Sequence, residues 1–279
     1  MRTANVDGRL KLLVDDGAVD VATASEGRFG PEPARCFEQF GELRRWAADV
    51  GAPLESFDAA AAGPPSPAPR QTFGIGLNYV DHARESGLEL PTAPLVFPKF
   101  VSSLTGASAN VQLPRGSVDW EVEIVVVIGE VARAVEKARA WDVVAGLSVG
   151  QDLSERELQW SGPAPQFGLS KSFPGFSPMG PCLVTPDEFR DPNVLELGCE
   201  LNGEVVQRGR STDMVFGVPE LIAYLSGIVT LLPGDVIYTG TPAGVGAGRK
   251  PPRFLQPGDI LRSWVEGIGA ITQTFVAAP

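Results

Sequence analysis

The sequence predicts an α+β protein, and three observations carry that prediction. Strand-like segments outnumber helical ones beyond residue 70; 32 Gly and 25 Pro among 279 residues supply many turns; and strands and helices do not alternate in the βαβ order that a doubly wound sheet requires. With 43% apolar and 20% charged residues, the chain can bury a sizeable core as one large domain or two smaller ones.

Taken in chain order, RLKLLVDDGAVDVA (9–22) reads as two short strands around an Asp-Gly turn, and the next segment sets Phe37, Phe40, Leu43 and Trp46 at helical spacing. These make a small N-terminal unit. The tract FDAAAAGPPSPAPRQ (57–71) has the composition of an extended linker, which places a boundary between a small domain, 1–68, and a larger one, 69–279. Strand signals follow at WEVEIVVVIGE (120–130), VVAGLSVGQD (143–152) and LELGCELNGEVVQRG (195–209), the last with an Asn-Gly turn between alternating segments. Two Pro-Gly-Asp turns, 233–235 and 257–259, lead into the strands VIYTG and ILRSWVEG, and helices are expected near 153–160 and 218–227.

Composition also excludes several classes. A net charge of −11 opposes phosphate backbones, so nucleic acid is not an expected partner. No apolar run approaches the roughly 20 residues of a membrane-spanning helix, and the N-terminus lacks the basic-then-apolar order of a secretion signal, so a cytoplasmic protein is expected. Cys36, Cys182 and Cys199 lie far apart without CxxC spacing and indicate neither a disulfide framework nor a thiolate zinc site.

Four segments carry candidate chemistry. In DWEVEIVVVIG, Glu121 and Glu123 share a strand face with Val125 and Val127. Two carboxylates beside a core repel each other and lose hydration, so they require a proton, a cationic partner or a metal; a solvated strand end is the plainer alternative. In GQDLSERELQW a strand runs out at Asp152, and a Ser154/Glu157 capping box opens a helix with Asp152, Arg156 and Gln159 on one side. Asp152 is either a third hard oxygen ligand, which with two glutamates suits Mg²⁺ or Mn²⁺ rather than structural Zn²⁺, or a plain cap residue. The loop YTGTPAGVGAG (238–248) offers backbone N–H groups in the manner of an anion nest but lacks the Gly-Lys-Ser/Thr of a phosphate loop. GIGLNY has two glycines of a dinucleotide fingerprint and no third, so no nucleotide cofactor is expected. His82 is the only histidine. A lone histidine is more often structural, yet a helical turn would set Glu85 against it, where a carboxylate can orient the imidazole and raise its basicity.

Together these segments resemble the fumarylacetoacetate hydrolase family over roughly residues 70–275. The family's ordered run of NYxxHAxE, ExE, an Asp followed by helical Arg and Gln, KSFD and GTPxGVG is met by Asn78 to Glu85, Glu121 and Glu123, Asp152 with Arg156 and Gln159, Lys171-Ser172-Phe173, and Gly240 to Gly246. Pro174 stands where the common Asp follows Phe. The resemblance implies a mixed β-roll, a homodimer, an Mg²⁺ or Mn²⁺ site at Glu121, Glu123 and Asp152 with Lys171 beside it, and a His82–Glu85 dyad on a lid. It also implies substrate contacts from Tyr79, Arg156, Gln159, Gly240 and Thr241. The expected reaction is metal-dependent hydrolysis of the carbon–carbon bond of a 2,4-dioxo acid, of the acylpyruvate or fumarylpyruvate kind, with His82 as base. Decarboxylation of oxaloacetate or a related β-keto acid, hydration or isomerisation of an oxo-dienoic acid, and metal and keto-acid binding without turnover remain the alternatives. Trp160, Phe173 and Phe176 are candidates to face the substrate's distal group, and 159–170 is either a cover for the pocket or a plain surface connection.

Overall fold

The computed structural model describes residues 1–51 and 55–278. The expected strands form: Val122–Ile128 and Val144–Gln151 lie side by side and antiparallel, and Glu196–Leu201 and Glu204–Arg210 make a hairpin about Asn202 and Gly203, both at positive φ. The helix Val218–Ile228 falls where apolar spacing placed it. The fold is α+β with mixed sheets.

A twelve-stranded sheet has Val122–Ile128 near its middle, flanked by Val144–Gln151 and by Val236–Tyr238; the latter pairs parallel to Thr72–Gly76. A five-stranded sheet, Ser108–Leu113 to Gly269–Ala277 to Ile260–Val265 to Glu196–Leu201 to Glu204–Arg210, packs against it. Every residue of Val122–Ile128 is buried, because the strand is covered on both sides. Val122, Ile124, Val126 and Ile128 join Leu197, Leu261 and Phe275 in the core with the second sheet. Val125 and Val127 face the other way, into a core with Leu10, Leu12, Phe37, Phe40 and Leu43 of the N-terminal unit.

The N-terminal residues extend the large sheet. Arg2–Val6 pairs with Ser177–Val184 on one edge and with Arg9–Val14 on the other. The 57–71 tract differs from the linker expected of it: Ala62–Gly63 pairs with Arg2–Val6, and Ser66, fully buried, donates its hydroxyl proton to the Gly234 carbonyl at 2.6 Å. Alanine and proline here follow a packed surface, where composition alone cannot distinguish an ordered path from a free one. Among the described residues no helix is long and apolar enough to cross a membrane.

Candidate active site

Sheet register assembles the acidic cluster. Val122 pairs with Gln151 and Glu123 with Gly150, so Glu121 and Asp152 leave the ladder side by side, and the Asp152 N–H donates to the Glu121 carbonyl at 2.9 Å. One carboxylate oxygen from each of Glu121, Glu123 and Asp152 lies within 4.8 Å of the others, and all three residues are buried. The strand after Asp152 does not continue into the expected capping box. Ser154 and Glu155 pair with Val118 and Asp119, Ser154 donates to the Asp152 carbonyl, and the short helix Arg156–Gln159 is capped by Glu155, which accepts from the N–H groups of Glu157 and Leu158. Arg156 and Gln159 nevertheless reach the same side, with Arg156 Nη1 donating to Gln159 Oε1 at 3.0 Å.

Two buried lysines and a partly buried arginine surround the carboxylates unevenly. Lys171 Nζ donates to Glu121 Oε2 at 2.6 Å and Asp152 Oδ2 at 2.7 Å, while Arg156 Nη2 reaches Glu121 Oε1 at 2.7 Å. Lys99, absent from the sequence reading, bonds Asp152 Oδ1 and donates to the Lys171 carbonyl at 2.6 Å. Burial alone would raise the Glu121 carboxyl, but Lys171 and Arg156 outweigh it and hold it low. Glu123 has the opposite balance. Its partner among the described residues is the Gly240 N–H at 2.8 Å, and burial, reinforced by Asp152 and Glu121, pushes its carboxyl well up. A buried carboxylate short of positive charge, adjoining two others, fits a hard divalent cation such as Mg²⁺ or Mn²⁺.

His82 and Glu85 lie on the helix Val80–Glu85, where three-residue spacing brings Nδ1 to 3.4 Å from Glu85 Oε2. Glu85 also accepts from the Gly244 N–H, at 3.0 and 3.1 Å to its two oxygens. A proton on Nδ1 facing Glu85 leaves Nε2 able to accept one. A cavity of about 390 Å³ brings His82, Glu85, Glu121, Arg156, Gln159, Lys171 and Thr241 together. Glu123 and Asp152 sit behind it, against Glu121 and Lys171.

Two predicted contacts lie off the cavity wall. Gly240 does not line the cavity, since its N–H is held by Glu123. Tyr79 is 1% exposed and also off the cavity wall. Four of the loop's N–H groups are already engaged. They bind the protein's own carboxylates: Gly240 to Glu123, Gly244 to Glu85, and Gly246 and Ala247 to Asp119 at 2.6 and 3.0 Å. Asp119, also missed by sequence, in turn accepts from Arg156 Nε and Nη2 at 3.0 and 2.8 Å. In the sequence it stands two residues before Glu121, in step with the alternation of Glu121 and Glu123, although it lies in the separate short strand Val118–Asp119. Gln207 is a third omission: it accepts from the Val122 N–H and donates to Thr241 Oγ1 at 2.8 Å, which directs the Thr241 O–H elsewhere. Of the distal candidates, Trp160 lines the cavity; Phe173 and Phe176 do not, and pack on each other 5.1 Å apart between ring centroids. Phe167, in the short helix Phe167–Ser170 of the expected cover segment, lines it instead.

The family model described as Fumarylacetoacetate (FAA) hydrolase C-terminal matches residues 71–276. The chain belongs to the fumarylacetoacetate hydrolase family. A Burkholderia lata relative named "Putative hydrolase" is 52% identical over 200 residues, 71% of each chain. The structure of "a putative HpcE protein" from Mycobacterium smegmatis superposes with a TM-score of 0.96 at 56% identity over all of both chains. At 28% identity and a TM-score of 0.82, again over all of both chains, the maleylpyruvate hydrolase of Sphingobium sp. SYK-6 was solved with manganese(II) and pyruvate. The 2-hydroxyhepta-2,4-diene-1,7-dioate isomerase of Mycobacterium marinum, 28% identical with a TM-score of 0.75, covers 99% of this chain and 98% of its own. The family thus includes metal-binding hydrolases and isomerases, and this member carries a buried acidic triad of the kind such a metal needs.

Proposed function

We propose that this protein hydrolyses the carbon–carbon bond of a 2,4-dioxo acid of the acylpyruvate kind, yielding pyruvate and a carboxylic acid, with Mg²⁺ or Mn²⁺ as cofactor. The observation that carries the reading is the placement of an oriented histidine and Glu121 on one cavity, with Glu123 and Asp152 directly behind Glu121. Glu121, Glu123 and Asp152 would hold a divalent ion, which when bound would supply positive charge for the 2-oxo acid head and for the negative charge that grows on the departing fragment.

His82, oriented by Glu85, takes a proton at Nε2 from a water whose oxygen attacks the distal carbonyl. The tetrahedral adduct collapses, the carbon–carbon bond breaks, and its electrons pass to the pyruvate enolate, whose methylene carbon is then reprotonated from the His82 imidazolium. Lys171 and Arg156 neutralise carboxylate charge, Gln159 holds a substrate oxygen by hydrogen bonding, and the Thr241 O–H donates into the cavity. A decarboxylase or isomerase would use the same acidic triad, but neither needs an activated water beside the distal carbonyl, which is the task that fits the His82–Glu85 pair.

Product analysis with an acylpyruvate and with oxaloacetate, on the parent and on His82→Ala in parallel, tests the reading. Pyruvate and the carboxylic acid should form, and the variant should lose about 10²- to 10⁴-fold in kcat while still binding Mn²⁺. CO₂ release from oxaloacetate that survives in the variant, with no acylpyruvate cleavage, would make the protein a decarboxylase and His82 a lid residue.

A further inference from the structure

The cavity has two chemically distinct ends. Near the triad it is charged; from Lys171 an aromatic row leads away, with Lys171 Nζ 5.2 Å from the Phe97 ring centroid, Phe97 stacked on Phe167 at 5.6 Å, and Phe167 edge-on to Trp160 at 6.4 Å. Leu77 and Leu88 line the cavity as well. Trp160 and Leu88 are 55% and 45% exposed although both face this one cavity, which is where a bound apolar group would cover them.

The lining cations are Lys171 and Arg156, apart from His82. Lys171 is engaged by Glu121 and Asp152, and Arg156 by Asp119, Glu121 and Gln159. Arg84, near in sequence, points outward, 75% exposed and paired with Asp81. Among the described residues, no cation stands at the aromatic end of the cavity.

We propose that the substrate's distal group is an uncharged alkyl or aryl chain and that a second, terminal carboxylate is selected against. The inference rests on the 2-oxo acid reading above and narrows it: a dicarboxylic oxo acid would place its far charge against Trp160, Phe167 and Leu88, losing hydration with no partner gained. An alkyl chain there removes its own surface and that of exposed Trp160 and Leu88 from water.

Calorimetric binding to the Mn²⁺-loaded protein tests this without turnover, because saturated 2-oxo acids lack the 4-oxo group. From pyruvate through 2-oxobutanoate and 2-oxopentanoate to 2-oxohexanoate, affinity should rise about three- to fourfold per methylene. 2-Oxoadipate, which replaces the terminal methyl of 2-oxohexanoate by a carboxylate, should bind at least about tenfold more weakly. Trp160→Ala should flatten the series, and Leu88→Arg, an exposed change, should shift the preference towards 2-oxoadipate by about tenfold. A flat series in the parent, or 2-oxoadipate binding as tightly as 2-oxohexanoate, overturns the inference and leaves the hydrolase reading standing. If no 2-oxo acid binds, pyruvate included, the functional reading itself falls and takes the inference with it.

Discussion

Lys99 is an ammonium with no solvent contact, held by Asp152 and the Lys171 carbonyl and facing the Tyr238 ring at 5.4 Å. Burial pulls its pKa down, while Asp152 opposes that and favours the charged form. Removing Lys99 leaves Asp152 Oδ1 without its donor, although Lys171 still holds Oδ2 at 2.7 Å. Lys99→Met should therefore lose about 1–3 kcal/mol of stability in denaturant unfolding; a parental midpoint would mean that Lys171 alone suffices for Asp152. The residue partners Asp152 from 53 positions away, and PLVFPKF shows only an isolated charge in an apolar stretch. The triad was more legible. Strand alternation put Glu121 and Glu123 on one face, and Asp152 stood at a recognisable strand end, so each residue carried its own local signal. Asp119 shared the first of those signals, but its function depends on loop N–H groups that arrive from about 127 residues further on.

The glycine-rich loop, recognised by composition as an anion nest, binds anions of the protein itself: Gly240, Gly244 and Gly246 allow the backbone to close upon Glu123, Glu85 and Asp119, while Thr241 and Val245 line the cavity. A Cβ on Gly244, at φ +106°, would lie 2.2 Å from the Val206 carbonyl oxygen. Gly244→Ala should displace the N–H that fixes Glu85 and lower kcat at least about tenfold, with Mn²⁺ affinity kept; unchanged kcat would separate Glu85 from the function of His82. At the other end of the chain, Asp20 caps the turn Val21–Ala24 by accepting from the Thr23 N–H, and Arg9 donates to both its oxygens at 2.7 Å. Arg9 chiefly, with Thr23 and Lys11, holds the Asp20 carboxyl well below the usual carboxylate range. A depressed carboxyl stabilises the fold above its ordinary pKa of about 4 and ceases to do so as pH falls through the lower folded value. Asp20→Ala should accordingly cost about 1 kcal/mol at pH 7, by thermal unfolding, and the gap from the parent should narrow only below about pH 4. A gap that stays constant to pH 2 would assign the loss to packing.

In the whole molecule, the strand that carries the acidic residues is buried on both faces, and the N-terminal residues provide one of the covers. Leu10, Leu12, Phe37, Phe40 and Leu43 pack on the Val125 and Val127 side, the face that bears Glu121 and Glu123 further along. The strands and the major helix of residues 120–265 were readable because alternation, an Asn-Gly hairpin and two Pro-Gly-Asp turns are local signals. The union of the N-terminal strands with the large sheet was not, because pairing between Arg2–Val6 and Ser177–Val184 leaves no mark on either segment's own pattern. This double covering buries Glu123, whose hydrogen-bond partner among the described residues is the Gly240 N–H rather than a cationic side chain. The most direct test is a Mn²⁺ titration of chelator-stripped protein with pyruvate release from an acylpyruvate as the readout. Activity should rise from near zero and saturate at one ion per chain, and Glu123→Gln should abolish the rise. Full activity in excess chelator, or an unaltered titration in Glu123→Gln, would contradict the metal centre at Glu121, Glu123 and Asp152.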